Sequence, residues 1–164
     1  MSMRSADPGA DADGIVRRAT AADAPAIAAL YATLVDNPGI DVQPERVAAL
    51  HADPATALLV FERAGTVLGT VLVALCADAM FGRRPFAVIE NIVVAPASRG
   101  ARVGERLLAQ AETFCRDADC TKIMLLSAAT RERAHAFFVR CGYDGSAKRG
   151  FVKYRRSFAL TSAR

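Results

Sequence analysis

The feature that most constrains this chain is an apolar stretch that passes through a glycine- and arginine-containing loop into a helical pattern. The segment VIENIVVAPASRGARVGERLLAQAETF covers residues 88–114. The first N–H groups of a helix have no internal acceptor, and the helix dipole adds positive charge there, so anions bind at such ends. Gly100 and Gly104 let the backbone approach a ligand closely, while Arg99 and Arg102 add charge. The segment predicts a phosphate cradle; an ordinary strand–turn–helix with surface arginines is the alternative.

Length and composition favour one globular domain. The chain has 164 residues, 52% of them hydrophobic, which favours a single core over residues 14–164 after a flexible lead-in over residues 1–13. No apolar run has the roughly 18 residues of a membrane span, and the start lacks the pattern of a secretory signal. The four cysteines show no metal-binding or disulfide spacing, so we expect no metal, reduced thiols and a cytoplasmic protein.

The net charge of +4 is a modest excess that favours an anionic ligand. A nucleic-acid binder is an alternative that the charge also allows. However, no interleaving of basic and aromatic residues and no known nucleic-acid motif was found in the chain. We therefore expect neither a nucleic-acid partner nor a membrane partner.

The periodicity of apolar residues predicts a mixed α/β (α+β) organisation, in which strands first pair as hairpins and then alternate with helices. In the first helix, Ile27, Leu30 and Tyr31 are part of an apolar face after a Thr20 cap. The segments with strand character are GIVRRAT, TALLVFER, TVLGTVLVALCA, FAVIENIVVA, TKIMLLSA and KRGFVKYRRSF. Those with helical spacing are AADAPAIAALYATLV, PERVAALHA, the stretch from about Val103 to Arg116, and RERAHAFFVRC, which Gly142 ends.

Three segments, in this order, resemble the GNAT superfamily of N-acetyltransferases. SRGARVGERLL resembles its acetyl-CoA signature R/Q-x-x-G-x-G/A, IENIVV its fourth strand, and AHAFFVRCGY its closing A-x-x-F-Y-x-x-x-G-F segment. The resemblance covers nearly the whole chain after the lead-in. It implies a mixed, mostly antiparallel sheet that is flanked by helices and splayed between the fourth and fifth strands. The pantetheine arm of acetyl-CoA would enter the splay, and its pyrophosphate would bind the loop.

The resemblance also implies which residues contact the cofactor. The backbone N–H of Ile92 would polarise the thioester oxygen, and the backbone of Val94 would bind the pantetheine amide. Arg131 and Phe137 occupy positions that line the cofactor in relatives. The complete set of implied cofactor-binding residues is Ile92, Val93, Val94, Arg99, Gly100, Ala101, Arg102, Val103, Gly104, Glu105, Arg131, Phe137 and Phe138.

Two positions depart from the family pattern. Arg102 stands where the pattern has its middle glycine, which we expect to be tolerated if its backbone keeps a negative φ. Phe138 stands where relatives usually carry the tyrosine that protonates the departing thiolate, and a phenyl ring carries no such proton. Tyr143, Tyr154 and Ser127 are the remaining candidates for the general acid.

Glu90 is the candidate general base, because it interrupts an apolar strand where a carboxylate is costly unless hydrated or paired. Burial would raise its pKa toward a useful range. A structural Glu paired with Arg84 at the sheet edge is the alternative. Strand alternation predicts that Glu90, Ile92 and Val94 share one face and that Asn91 points the other way as a hydrogen-bonded structural residue.

These features together predict an acetyl-CoA-dependent N-acetyltransferase that acts on the primary amine of a small molecule. Attack would be direct, within a ternary complex, because no side chain is arranged as a covalent nucleophile. The catalytic residues would be Glu90 and Ile92. A CoA-binding sensor or regulatory module with little catalysis is the alternative, which Phe138 motivates. A homodimer is left open.

Overall fold

The computed structural model of the chain describes residues 13–158. They divide into two compact units, with the boundary between Leu125 and Leu126. Nearly all of the expected lead-in, residues 1–12, lies outside the described residues. The expectation that residues 14–164 form a single domain stays a prediction.

The first unit is built on a five-stranded sheet with the strand order β1-β2-β3-β4-β5. Neighbours from β1 to β4 pair antiparallel, and β4 pairs parallel with β5. The mixed, mostly antiparallel sheet expected from the sequence is thereby confirmed. The strands are β1 (Ile15–Arg18), β2 (Thr56–Arg63), β3 (Thr66–Cys76), β4 (Phe86–Val94) and β5 (Ile123–Leu125).

Helices cover this sheet, and their bounds follow local sequence signals. The first unit contains α1 (Ala24–Leu34), α2 (Pro44–Ala52) and α3 (Val103–Asp117). A capping box between Thr20 and Asp23 precedes α1 in a short 3-10 turn, as the sequence indicated. The apolar stripe of α3 is buried through Val103, Leu107, Leu108, Ala111 and Cys115. The elements predicted by periodicity are therefore present as regular structure in this unit.

A two-residue turn sets the register of the β2–β3 hairpin. Ala64 and Gly65 both have positive φ, 47° and 72°, which is the geometry of a type I′ turn, whose twist matches that of the flanking strands. Leu58 and Val60 of β2 pack in a core cluster with Ile27 of α1 and Val47 of α2. One face of the sheet is thus covered by α1 and α2.

Gly69 marks the opposite face, which α3 covers. A side-chain carbon at Gly69 would lie 3.0 Å from Val103 and 3.1 Å from Leu107 of α3. Since real Cβ atoms rarely approach other atoms so closely, only a residue without a side chain lets the first turns of α3 lie this near β3.

The second unit holds α4 (Glu132–Arg140), which ends at a left-handed Gly142 with φ 89° as predicted. The predicted final strand KRGFVKYRRSF is wrong: within the described residues this segment forms only a 3-10 turn at Arg155–Ser157. The backbone bonds found within this segment are local, from the N–H of Ser157 to Tyr154 and from the N–H of Phe158 to Arg155. Apolar content alone does not make a strand, because a strand requires a partner for its backbone groups.

Candidate active site

The end of β4 presents an unpaired backbone edge next to the loop singled out in the sequence. Pairing between β4 and β5 stops at Ile89 opposite Leu125, although β4 continues to Val94. The predicted strand TKIMLLSA is much shorter in the structure, spanning Ile123–Leu125 only. The pairing of the two strands therefore stops where the resemblance implied a splay, and among the described residues β5 does not pair with the edge of β4 beyond Ile89.

A β-bulge interrupts β4 beside this opening. Leu72 of β3 pairs with Glu90, and Thr70 pairs with Val93, so that Asn91 and Ile92 together oppose Val71. Asn91 has a left-handed backbone, φ 53°, a conformation that asparagine tolerates better than most residues.

The bulge overturns the expected alternation of side chains. Directly opposed residues place their side chains on the same side of a sheet. Glu90 pairs with Leu72, which packs against the core cluster under α1 and α2, whereas Val94 pairs with Gly69 on the face that α3 covers. The prediction that Glu90, Ile92 and Val94 share one face is therefore wrong, because the extra residue shifts the alternation within β4.

Glu90 lies on the face of α1 and α2, and it is exposed. The expected burial of its carboxylate is therefore wrong. The alternative ion pair with Arg84 is wrong as well, because Arg84 instead pairs with Asp119 at 3.0 Å. Among the described residues Glu90 has no ion-pair partner, so its carboxylate can take a proton from a ligand or from a bound water.

The loop after β4 offers several unpaired N–H donors. Its own backbone bonds use the N–H groups of Ser98, Arg99 and Ala101. Within the described part of the chain, no acceptor is found for the N–H groups of Gly100 and of Arg102 to Glu105. Gly100 has φ 84° with open space where a side chain would stand, and these donors lie just before and within the first turn of the 15-residue helix α3. Such an arrangement is suited to an anion.

Arg102 has a left-handed backbone, which is unfavourable for a residue other than glycine. Its φ is 59°, in the left-handed region, so the expectation of a negative φ is wrong. For a residue with a side chain this costs about 1 kcal/mol. The exposed guanidinium of Arg102 lies 4.0 Å from the carboxylate of Glu105.

The remaining cofactor-binding residues that the resemblance implies in the first unit differ in how exposed their side chains are. Arg99 and Ala101 are exposed, and Gly104 lies in the first turn of α3. Val93 and Val103 have buried side chains, so only their backbone groups are available to a ligand. Ile92 and Val94 are half-buried.

The second unit carries the other implied residues. Arg131 directly precedes α4 and is exposed, while Phe138 is buried. Phe137 and Phe138 are in ring contact at 5.3 Å, and Tyr143 meets Phe138 edge-on at 6.2 Å. Phe138 is therefore a packing residue of this unit.

The three candidates for the general acid have different surroundings. Tyr154 is 60% exposed, and Arg156 lies over its ring at 4.7 Å. The hydroxyl oxygen of Ser127 is buried and has no hydrogen-bond partner within the described residues. Tyr143 packs on Phe138 as described above. Neither contact nor burial singles out one of them as the acid.

Tyr31, which the sequence places on the apolar face of the first helix, is half-buried on α1 and packs against the core cluster. Burial raises the pKa of Tyr31, and the side chain of Asn91 acts in the opposite direction. The expectation that Asn91 is a hydrogen-bonded structural residue stays a prediction.

Comparison with known proteins agrees with this architecture. The profile of the acetyltransferase (GNAT) family matches residues 27–143. The chain is 32% identical over 133 residues to an aminoalkylphosphonate N-acetyltransferase of Salmonella typhimurium strain LT2, covering 80% of this chain and 85% of that protein.

Solved structures show the same fold. A protein of Agrobacterium tumefaciens str. C58 assigned as an acetyltransferase superposes with a TM-score of 0.78 at 29% identity, over 86% of this chain and 99% of the other. Glucosamine-6-phosphate N-acetyltransferase of Arabidopsis thaliana superposes with a TM-score of 0.75 at 19% identity, over 87% and 98%. No helix in residues 13–158 has the length and apolarity needed to cross a bilayer. The chain belongs to the acetyltransferase (GNAT) family and is an acyltransferase.

Proposed function

We propose that this enzyme transfers an acetyl group from acetyl-CoA to the primary amine of a small molecule, by direct attack in a ternary complex. The observation that carries the proposal is the continuity of two features: the unpaired edge of β4 beyond Ile89 leads directly into the loop with free N–H donors around Gly100. An extended amide-containing arm can add to a free strand edge, and a pyrophosphate suits the donors at the start of α3.

The residues of this chain divide the chemistry as follows. Acetyl-CoA, when bound, supplies an activated acetyl group. Glu90 takes the proton that the amine loses on attack, directly or through one water. The Ile92 N–H donates to the thioester oxygen as charge develops there. The new C–N bond would form as the thioester C–S bond breaks, and the leaving sulfur would take its proton from Tyr143, Tyr154, Ser127 or solvent, since Phe138 has none to give.

An aminoalkylphosphonate is the first acceptor class to test, because the 32% identical relative carries that name. The purified protein is mixed with acetyl-CoA and a panel of aminoalkylphosphonates, amino sugars and simple alkyl amines, and thiol release and acetylated product are measured. The N,N-dimethyl form of each amine is the matched control, because a tertiary amine cannot give a stable amide. Product with one primary amine and none with its control supports the proposal.

The cradle is tested separately by calorimetry. Gly100→Val places a side chain at a left-handed position amid the free donors, and we expect acetyl-CoA to bind at least tenfold more weakly, a loss of about 1.4 kcal/mol. Gly82→Val is the control, because Gly82 also has a positive φ and open space but lies in the β3–β4 loop. Equal affinity of both folded variants would contradict the cradle. Tight acetyl-CoA binding by a wild type that acetylates no amine would favour the CoA-binding module.

A further inference from the structure

The first turn of α3 is bonded to the chain just before β1 by the side chain of Arg106. This residue directly follows the free N–H donors of the loop, and its own backbone N–H donates to the carbonyl of Arg102 at 3.0 Å. Arg106 thereby closes the turn that carries those donors. Its side chain is 36% exposed and turns away from the loop to residues 13 and 14.

The guanidinium of Arg106 has polar and aromatic contacts at once. One terminal nitrogen donates to the carbonyl oxygen of Asp13, and the other donates to that of Gly14 at 2.7 Å. The Asp13 carboxylate lies 3.7 Å from the first of these nitrogens. The guanidinium also lies over the buried ring of Phe61 on β2, 5.0 Å from the ring centroid. A planar fork with these partners is held in one orientation, whereas a lysine ammonium is a flexible point charge.

Gly14 allows this segment to come close enough for the contact. Its φ is 73°, and a side-chain carbon there would lie 2.5 Å from the ring of Phe61 and 2.7 Å from the carbonyl oxygen of Glu62. Real Cβ atoms do not approach other atoms so closely, so a larger residue would push the segment away from the sheet. The ring of Phe61 therefore lies against both partners, Gly14 and Arg106.

The apolar contacts of α3 do not by themselves fix its direction. Val103 and Leu107 pack where Gly69 leaves space on β3, and the hydrophobic effect that favours such packing is non-directional. Hydrogen bonds prefer a narrow range of distances and angles. The fork of Arg106 therefore adds a directional contact at the turn that carries the free N–H donors.

From these contacts we infer that Arg106 is a positioning residue for the cofactor. Its fork on Asp13 and Gly14 sets the direction of the first turn of α3, and so of the N–H donors that the pyrophosphate would meet. The identity of the cofactor rests on the proposed function. The guanidinium itself contacts no phosphate in this role. If only about a fifth of the molecules keep the binding geometry without the fork, the apparent Kd rises about fivefold.

Arg106→Met tests the inference, because it removes the fork and keeps an unbranched side chain near Phe61. We expect the Kd for acetyl-CoA, measured by calorimetry, to rise about fivefold, and kcat at saturating acetyl-CoA to stay within about twofold, since the reacting groups of β4 are untouched. Arg116→Met is the matched control: it removes the same side chain from the last turn of α3, where Arg116 pairs with Glu112, and Kd should not change. Equal Kd values for the two variants would overturn the inference.

Gly14→Ala tests the same contact without removing a charge. The added methyl group displaces the two carbonyls from Arg106, so we expect a similar rise in Kd, and no further rise when Arg106→Met is added. Gly82→Ala is the control, because Gly82 also has a positive φ but has open space around it. Losses that multiply in the double variant, or a wild-type Kd in folded Gly14→Ala, would show that Arg106 does not act through this segment.

Arg106→Lys separates positioning from a direct contact with phosphate. Lysine keeps the charge but cannot form the planar fork, so its Kd should be as high as that of Arg106→Met. The ratio of each variant's Kd to that of the wild type should not depend on salt. Recovery of affinity by lysine, or a ratio for Arg106→Met that shrinks at high salt, would show that the charge itself binds the cofactor and would overturn positioning.

The affinities also distinguish a failure of this inference from a failure of the proposed function. A wild type that binds acetyl-CoA but acetylates no amine would contradict the proposed function, and the Kd values of the Arg106 and Gly14 variants would still decide whether Arg106 positions the turn. A wild type that does not bind acetyl-CoA would contradict both.

Discussion

At the scale of single residues, Glu90 is the side chain whose role the structure changes most. It is exposed and lacks an ion-pair partner among the described residues, so Glu90→Gln should not harm folding. We expect kcat to fall by about 100- to 10,000-fold if proton removal limits the rate. The acidic limb of the pH–rate profile should disappear, and higher pH should partly restore the rate because more of the amine is neutral.

Steady-state kinetics with a substrate amine check this expectation. Glu45→Gln is the control, because Glu45 is also exposed but lies on α2. If Glu90→Gln keeps near-wild-type kcat across the pH range, solvent takes the proton and Glu90 is not the base.

Arg102 is expected to lower the stability of the fold and to strengthen the binding of acetyl-CoA. Arg102→Gly relieves the strained backbone, φ 59°, and should raise the free energy of unfolding by up to about 1 kcal/mol, less the entropy that glycine adds to the unfolded chain. Ala64→Gly, at the hairpin turn with φ 47°, should stabilise similarly. Thermal unfolding compares the two.

Binding then distinguishes these two variants. Arg102→Gly should weaken acetyl-CoA binding more at low salt than at high salt, because salt screens an exposed charge. Ala64→Gly should leave binding unchanged. If Arg102→Gly binds acetyl-CoA as the wild type does at low salt, the guanidinium makes no contribution to the cradle.

At the scale of elements, an ion pair joins the start of α1 to the sheet and makes stability depend on pH. Arg17 of β1 bonds Asp23 at 2.7 Å and also Glu62 of β2. The hydrogen bond from Arg17 lowers the pKa of Asp23 to about 2, while burial acts against it. The unfolded carboxyl has a pKa of about 4. The stabilisation is therefore present above pH 4 and is lost as pH falls through 2.

Asp23→Asn should remove about 2 kcal/mol of stability at pH 7, and its difference from the wild type should shrink toward zero near pH 2. Denaturant unfolding at several pH values measures this. Asp36→Asn, at an exposed position without an ion pair among the described residues, is the control. A constant difference between Asp23→Asn and the wild type at every pH would exclude the ion pair as its cause.

The close packing of α3 on the sheet depends on Gly69, which has no side chain. Gly69→Ala would bring a methyl group to about 3 Å from Val103 and Leu107, and we expect the free energy of unfolding to fall by about 1–3 kcal/mol. Acetyl-CoA binding should also weaken, because the cradle lies at the start of α3. Gly145→Ala, where nothing lies within 4 Å, should change neither. Stability and affinity are measured on both; an unchanged Gly69→Ala would show that α3 adjusts freely.

At the scale of the whole molecule, ligand binding and folding are linked. A ligand that binds only the folded chain stabilises it by about 2.7 kcal/mol at 100 times its Kd. Acetyl-CoA should therefore raise the melting temperature of the wild type in a concentration-dependent way. Gly100→Val should need higher acetyl-CoA concentrations for the same rise. Identical curves for the two would contradict the site. The homodimer and the cytoplasmic location stay predictions, of which sedimentation tests the first.

The chain itself determined most of the regular structure and the position of the loop that we propose as the phosphate cradle. Local signals act within a few residues: the capping box of Thr20 and Asp23, the turn at Ala64 and Gly65, and the apolar stripe of α3. Each has a period or a spacing that a sequence displays directly. The strand–glycine–helix order likewise predicted an anion site around Gly100, which the free N–H groups support.

Only the tertiary structure decided the details of the site. The bulge at Asn91 follows from the register between β3 and β4, which are separate in the chain, and it moved Val94 to the face opposite Glu90. The exposure of Glu90 depends on where the helices pack on the sheet. The segment predicted as a last strand failed because a strand exists only where another strand accepts its backbone bonds. Such features depend on distant partners, so no local pattern can contain them.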